Sequence, residues 1–276
     1  LTLNMNTRKE KLEAFGRILD IMDELRVKCP WDREQTSESL RPQTIEEVYE
    51  LSDAILKNDS KNISKELGDV LLHVIFYSKI GEEKGQFDIA DVINLLCDKL
   101  IYRHPHVFSS VQVENSAQVM QNWEMLKARE KDGNKRILSG VPDALPPLLK
   151  AYRMQDKARG VGFDWEKKED VWDKVREELG EYQAELGCVE KASTEQERKE
   201  AYDRAEGELG DYLFAVVNAA RLYGLNPDTA LERTCAKFKR RFTYLEEHTI
   251  RQGRDLHDMT LEEMDAIWDE AKAKGL

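Results

Sequence analysis

The sequence is short of the features that mark several common protein classes. Its apolar runs, such as Val70-Leu71-Leu72, end within a few residues, whereas a membrane-spanning helix needs about 20. No transmembrane helix and no membrane partner are expected. Cys29, Cys97, Cys188 and Cys235 are the only cysteines among 276 residues and include no Cys-x-x-Cys pair. That is too sparse for a disulfide framework and points to a reducing, cytoplasmic setting. Net positive charge is also missing: 42 Lys and Arg face 54 Asp and Glu, a formal charge of −12. Such a chain repels polyanions, which argues against general nucleic-acid binding. Leu1-Thr2-Leu3-Asn4-Met5 lacks a basic stretch followed by an apolar one, so no signal peptide is read there and Met5 is a candidate natural start.

Glycine and proline are scarce as well, 15 and 7 residues, together about 8% of the chain against about 12% in average usage. Low punctuation favours long helices over many short strands. The abundant Glu and Lys are good helix formers, and Val171, Val175, Leu179, Tyr182 and Leu186 recur at the spacing of one helical face. The expected fold is all-α, with a hydrophobic fraction of 41% that suffices for a core. Long amphipathic helices would bury their stripes either in a bundle or across a dimer interface.

At roughly 150 residues per domain the length suggests two domains or two copies of one unit, and internal repeats decide for copies. Glu46-Glu47-Val48-Tyr49-Glu50 returns as Glu177-Glu178-Leu179-Gly180-Glu181, and Glu66-Leu67-Gly68-Asp69 as Glu208-Leu209-Gly210-Asp211. Cys97, Lys99 and Arg103 match Cys235, Lys237 and Arg241, each pair 138 positions apart. The expected layout is a repeat over 6–128, a linker over 129–147 rich in Gly and Pro, and a second repeat over 148–276. The second copy has extra residues within Cys188 to Arg204, read as a longer helix end or a loop. Irregular stretches, Lys28 through Pro42 and Gly160 through Trp165, are expected to lead into the two Glu-rich helices. Thr260-Leu261-Glu262-Glu263 is a capping-box pattern for a last helix carrying Trp268.

The repeated acids carry the chemistry. Glu178 and Glu181 are three apart, as are Glu208 and Asp211, so each pair projects from one helical face. Antiparallel packing of the two helices brings these carboxylates together, at a cost of several kcal/mol or forced protonation unless a cation compensates. The donors are all oxygen, with no Glu-x-x-His spacing and no Cys, which favours a hard ion, Mg²⁺ or alternatively Mn²⁺, over zinc or di-iron chemistry. Such an ion usually works on phosphates. The first copy offers Glu47, Glu50, Glu66 and Asp69 as the matching ligands, although Thr44-Ile45-Glu46-Glu47 also fits a capping box. Glu178 has no such alternative, because its helix is expected to begin near Asp170. Lys237 and Arg241 share one helical face and suit a phosphate. Lys174, one turn before Glu178, either faces the site or pairs with Glu178 on the surface. Asn218, two turns after Asp211, is either a sugar or base ligand or a core amide. The first copy has Phe76 there, so equivalent sites are not expected.

This pattern resembles the MazG family of nucleoside triphosphate pyrophosphohydrolases, members of the all-α NTP pyrophosphatase group. The shared elements are EExxE followed by ExxD in both copies, Cys29-Pro30-Trp31-Asp32, Tyr102 through Phe108, Val161 through Trp165, and Trp268. The resemblance implies Mg²⁺-dependent hydrolysis of nucleoside triphosphates to monophosphate and pyrophosphate, in four-helix-bundle-type sites completed by a homodimer, chiefly in the C-terminal copy. It further implies that Glu178, Glu181, Glu208 and Asp211 hold the metal and that Glu177 orients or deprotonates water. Lys174, Lys237 and Arg241 would contact the triphosphate, and Trp268 would lie near the nucleotide. Water would attack the α-phosphorus in line. The chain departs from the family at Ser37, where many relatives have His after Gln-Thr. Two other readings remain: a nucleotide-sensing or helical interaction protein without turnover, and a pyrophosphohydrolase restricted to dUTP, dCTP or phosphoribosyl-ATP.

Overall fold

The structure is a computed structural model that describes residues 5–115, 118, 119, 122, 126 and 136–276. The expectations for Leu1 through Asn4 and for residues 129–135 of the linker lie outside the described residues. Every regular element among the described residues is helical, as the low glycine and proline content led one to expect. No helix among them is long and apolar enough to cross a membrane. The chain divides into two compact units, Leu1–Trp123 and Glu124–Leu276.

The first unit contains α1 (Arg8–Lys28), α2 (Pro30–Glu34), α3 (Ser37–Leu56), α4 (Ser60–Glu83), α5 (Ile89–Arg103) and α6 (Pro105–Phe108). Side-chain caps set the helix starts: Thr7 with Glu10, Thr36 with Ser39, Asp59 alone, and Asp88 with Asp91. Each satisfies amide groups that the first turn leaves open. Met22 of α1, Leu40 of α3, and Ile75, Phe76 and Ile80 of α4 form the core, each burial contributing on the order of 1.5–3 kcal/mol. Arg26 ties α1 to its neighbours, donating through Nε to Glu83 at 2.8 Å and through Nη1 to the carbonyls of Asp32 and Gln35. α5 buries no residue of its own, although Ile93, Leu95, Leu96, Leu100 and Ile101 lie along it.

Two local expectations fail here. The stretch through Pro42 is not irregular: α2 occupies Pro30–Glu34, and α3 starts at Ser37 and runs through Pro42. Pro42 forfeits one helical hydrogen bond, to the Glu38 carbonyl. Thr44 therefore sits mid-helix and caps nothing. Its Oγ1 donates to the Leu40 carbonyl or meets His73 Nδ1 at 2.9 Å and Tyr77 Oη at 2.6 Å. Glu47 is thereby freed of a capping duty.

The second unit contains α7 (Pro147–Arg159), α8 (Val171–Lys191), α9 (Glu195–Leu222), α10 (Pro227–Arg251) and α11 (Leu261–Ala273). α8 begins after Asp170, and α11 begins at the Thr260–Glu263 capping box, both as read from the sequence. The extra residues lengthen α8 and α9, leaving only 192–194 between them. Arg204 reaches Glu185 at 2.9 Å across this extension. The long α8–α9 hairpin packs closely because α9 presents Ala201, Ala205, Ala215 and Ala219, all buried. Val171 and Val175 of α8 complete its core with Ala215 and Ala219. α9 ends where Gly224 takes a positive φ of 72°, a conformation that costs a side-chain-bearing residue about 1 kcal/mol or more.

Candidate active site

Glu178 lies on the inner face of α8, one turn beyond Val175, and is only 6% exposed. Glu208 follows Ala201 and Ala205 along the inner face of α9 and is half-buried, whereas Asp211 is exposed. The helical repeat that buries the alanines thus delivers Glu208 and Asp211 opposite Glu178. Carboxylate oxygens of Glu178, Glu208 and Asp211 lie within 4.8 Å of one another. The first unit repeats the arrangement with α3 and α4: oxygens of Glu47, Glu66 and Asp69 lie within the same distance, with Glu66 at 6% exposure. At that separation like charges repel one another, and only lysine contacts or an added cation offset the repulsion.

The remaining acids of the motif stand at the edge of these triads. Glu181 is exposed, and its carboxyl is raised above the ordinary value by partial desolvation and then by the charges of Glu178, Glu208 and Glu177. Glu47, itself a triad member, is raised in the same way, by desolvation and by Asp69, Glu50 and Glu66. Glu177 is exposed and accepts from Lys174 Nζ at 3.0 Å, while the same ammonium meets Glu178 at 2.5 Å. These two carboxylates hold the Lys174 ammonium well above its ordinary pKa. Lys174 therefore does both things that its spacing allowed: it pairs with Glu178 and stands beside the triad.

The other expected ligands are placed elsewhere on the second unit. Arg241 of α10 stacks over Trp268 of α11, 5.8 Å from the ring centroid, and its Nε donates to the Leu276 carbonyl at 2.7 Å. Lys237 is exposed on the same helix. Among the described residues, no ion pair or hydrogen bond joins Lys237, Arg241 or Trp268 to the carboxylates. The Asn218 side-chain oxygen accepts from Arg221 Nη2 at 2.7 Å, and Arg221 forms a buried pair with Asp164 through Nη1 at 3.0 Å. Burial alone would raise the Asp164 carboxyl, but the bonds from Arg221 and from the Trp165 amide bring it below its ordinary value. The acceptor of Asn218 is thus committed to holding Arg221.

Several participants went unread in the sequence. Lys65 bridges Glu66 at 3.0 Å and Asp69 at 3.5 Å; its position one turn before Asp69 was the available signal. Phe238 packs 5.1 Å from Trp268 and stacks on Phe242 one turn along. Thr44, His73 and Tyr77 form a polar cluster where the matched positions of the second unit carry Val175, Ala215 and Ala219. The first unit also opens a groove of about 590 Å³ lined by Tyr49, Glu50, Asp53, Asn62 and Glu66, among others.

The donor set fits a hard divalent cation. Every donor is a carboxylate oxygen, and Glu66 Oε2 is buried with no hydrogen-bond partner, a costly state unless an added positive ligand satisfies it. Residues 35–108 match the model of the MazG nucleotide pyrophosphohydrolase domain. The chain is 39% identical over 268 residues to the nucleoside triphosphate pyrophosphohydrolase of Escherichia coli (strain K12), covering 95% of this chain and 98% of that protein. It is 40% identical over 269 residues to the nucleoside triphosphate pyrophosphohydrolase/pyrophosphatase MazG of Thermotoga maritima, covering 96% and 98%. It is also 45% identical over 270 residues to the protein YabN of Bacillus subtilis (strain 168), which it spans for 53% of that protein's length. With two such full-length relatives, and with one acid of EExxE and both acids of ExxD gathered into the same triad in each unit, the chain belongs to the MazG family.

Proposed function

We propose that this chain hydrolyses nucleoside triphosphates to nucleoside monophosphate and pyrophosphate, mainly in its second unit, with Mg²⁺ or alternatively Mn²⁺ as cofactor. The observation that carries the reading is the convergence of Glu178, Glu208 and Asp211 within 4.8 Å in a chain similar over nearly its whole length to proteins named for that activity. Glu178, Glu181, Glu208 and Asp211 would hold the cation. When bound it supplies charge neutralisation to the phosphates and acidifies water, as in other metal-assisted phosphoryl transfers.

The chain's own groups do the rest. Glu177 orients the attacking water or takes its proton; the water oxygen forms a bond to the α-phosphorus as the bond to the bridging oxygen breaks and pyrophosphate leaves. Lys174 can release Glu178 to a cation while keeping Glu177, so that its charge stays beside the phosphates. Lys237 and Arg241 contact the triphosphate and Trp268 the nucleotide, with Arg241 already oriented by the Trp268 ring and the Leu276 carbonyl. These groups lie on helices apart from the triad, and apolar residues such as Leu95, Phe163 and Phe238 stand exposed in the single chain. Both observations support a homodimer in which copies complete each other's sites. The two units are read as two copies of one ancestral repeat joined over 129–147, and the cysteine usage supports a cytoplasmic location.

Turnover of common ribo- and deoxyribonucleoside triphosphates in heavy-oxygen water tests the reaction. The expected result is Mg²⁺-dependent pyrophosphate release with the label in the monophosphate. Label in pyrophosphate, or no turnover of any nucleotide, would overturn it.

A further inference from the structure

The two carboxylate triads carry their compensating lysines on opposite helices. In the second unit Lys174 of α8 reaches one triad member, Glu178, and spends its other contact on Glu177, which lies outside the triad. Glu208 and Asp211 have no ion pair among the described residues. In the first unit Lys65 of α4 bridges two triad members at once, Glu66 and Asp69. The position matched to Lys65 in the second unit is Gly207, which has no side chain, and the position matched to Lys174 in the first is Gln43.

We propose that Lys65 is a resident counter-cation of the first unit, one that competes with a divalent ion for Glu66 and Asp69 and makes this the weaker of two metal sites. The inference rests on the reading that the triads hold a divalent cation. The acidic cluster is not the only sign of a ligand there: Glu66 Oε2 is buried and unpartnered while Oε1 is held by Lys65, and Glu66 lines the open groove. A cation entering from that groove must displace the ammonium from two of its three carboxylates, whereas entry at the second unit costs Lys174 one of two contacts. Lys65 is largely exposed, 63% of its side chain, so its removal perturbs charge at the triad without opening the core.

The test is Mn²⁺ binding to the full-length protein by titration calorimetry, with Glu208→Gln present throughout to disable the second triad. Lys65→Gln should tighten the remaining Mn²⁺ site by about threefold to tenfold, the loss of two partly exposed pairs, while Lys65→Arg should leave it as in the Glu208→Gln parent. Helix content by circular dichroism should be equal in all three. Unchanged or weaker binding in Lys65→Gln, when the protein without substitutions binds Mn²⁺, would overturn the role of Lys65 alone. Absence of Mn²⁺ binding by the unsubstituted protein would overturn the metal reading and this inference with it.

Discussion

Glu181 is exposed, yet its charge is opposed by partial desolvation and by Glu178, Glu208 and Glu177. A carboxyl raised in the folded state binds its proton more tightly there than in the unfolded chain, so stability falls as pH rises through that window. The penalty is complete above the raised value and absent well below the ordinary 4.5. Glu181→Gln should therefore raise the Tm of the metal-free protein at neutral pH, with the gain shrinking to nothing under acid conditions. With saturating Mg²⁺ the order should reverse, because a ligand has been lost. A Tm difference that ignores both pH and Mg²⁺ would contradict this view of the triad. At this scale the acids were legible, because three-residue spacing on a helix fixes a shared face wherever the helix lies. Their counter-charges were only half legible: Lys174 stands one turn before Glu178 and Lys65 one turn before Asp69, whereas the second contact of Lys65, to the adjacent Glu66, is visible only once α4 is seen to turn Glu66 inward. Asn218 was ambiguous for a related reason, since its partner Arg221 is paired with Asp164, distant in sequence.

Helix starts were readable where a capping box opened the helix, as at Thr260, or where the apolar spacing itself began, as after Asp170, whose side chain caps nothing. The start of α3 was not, because Thr36 pairs with Ser39 rather than with a Glu, and because Pro42 reads as a breaker although one lost hydrogen bond does not end a helix of this length. α5 carries Ile93, Leu96 and Leu100 along its length yet buries no residue in the single chain. The close approach of α4 to the turn before α5 yields a sharper test. A Cβ on Gly81 would lie 2.7 Å from the Phe87 ring and 2.8 Å from the Phe87 carbonyl oxygen, and a backbone oxygen cannot rotate away. Gly81→Ala should destabilise the protein by about 1–3 kcal/mol in urea unfolding followed by circular dichroism. Gly68→Ala, on the same helix and facing open space, should add about 0.5–1 kcal/mol through helix propensity. Effects of the same sign at both positions would contradict the packing of α4.

In the molecule as a whole, one helical plan is used twice with different fillings. Leu40 and Val171, Ile75 and Val217, and Glu66 and Glu208 occupy matched positions and share deep or partial burial. Around the acids the units diverge: Thr44, His73 and Tyr77 stand against Val175, Ala215 and Ala219, and Lys65 against Gly207. The repeat was legible because spacing survives substitution. The different reach of the two lysines was not, since it depends on which carboxylates each ammonium meets in three dimensions. The net charge of −12 fits a protein whose phosphate ligand arrives with its own cations rather than by attraction to the surface.

The division of labour between the units is the central claim, and pyrophosphate release with Mg²⁺ tests it most directly when Glu208→Gln and Glu66→Gln are compared in otherwise identical full-length proteins. Loss of one ligand should lower turnover by at least about 100-fold in Glu208→Gln, with Glu66→Gln staying within about threefold of the parent. Loss of activity in Glu66→Gln with Glu208→Gln spared would place the chemistry in the first unit and contradict the account.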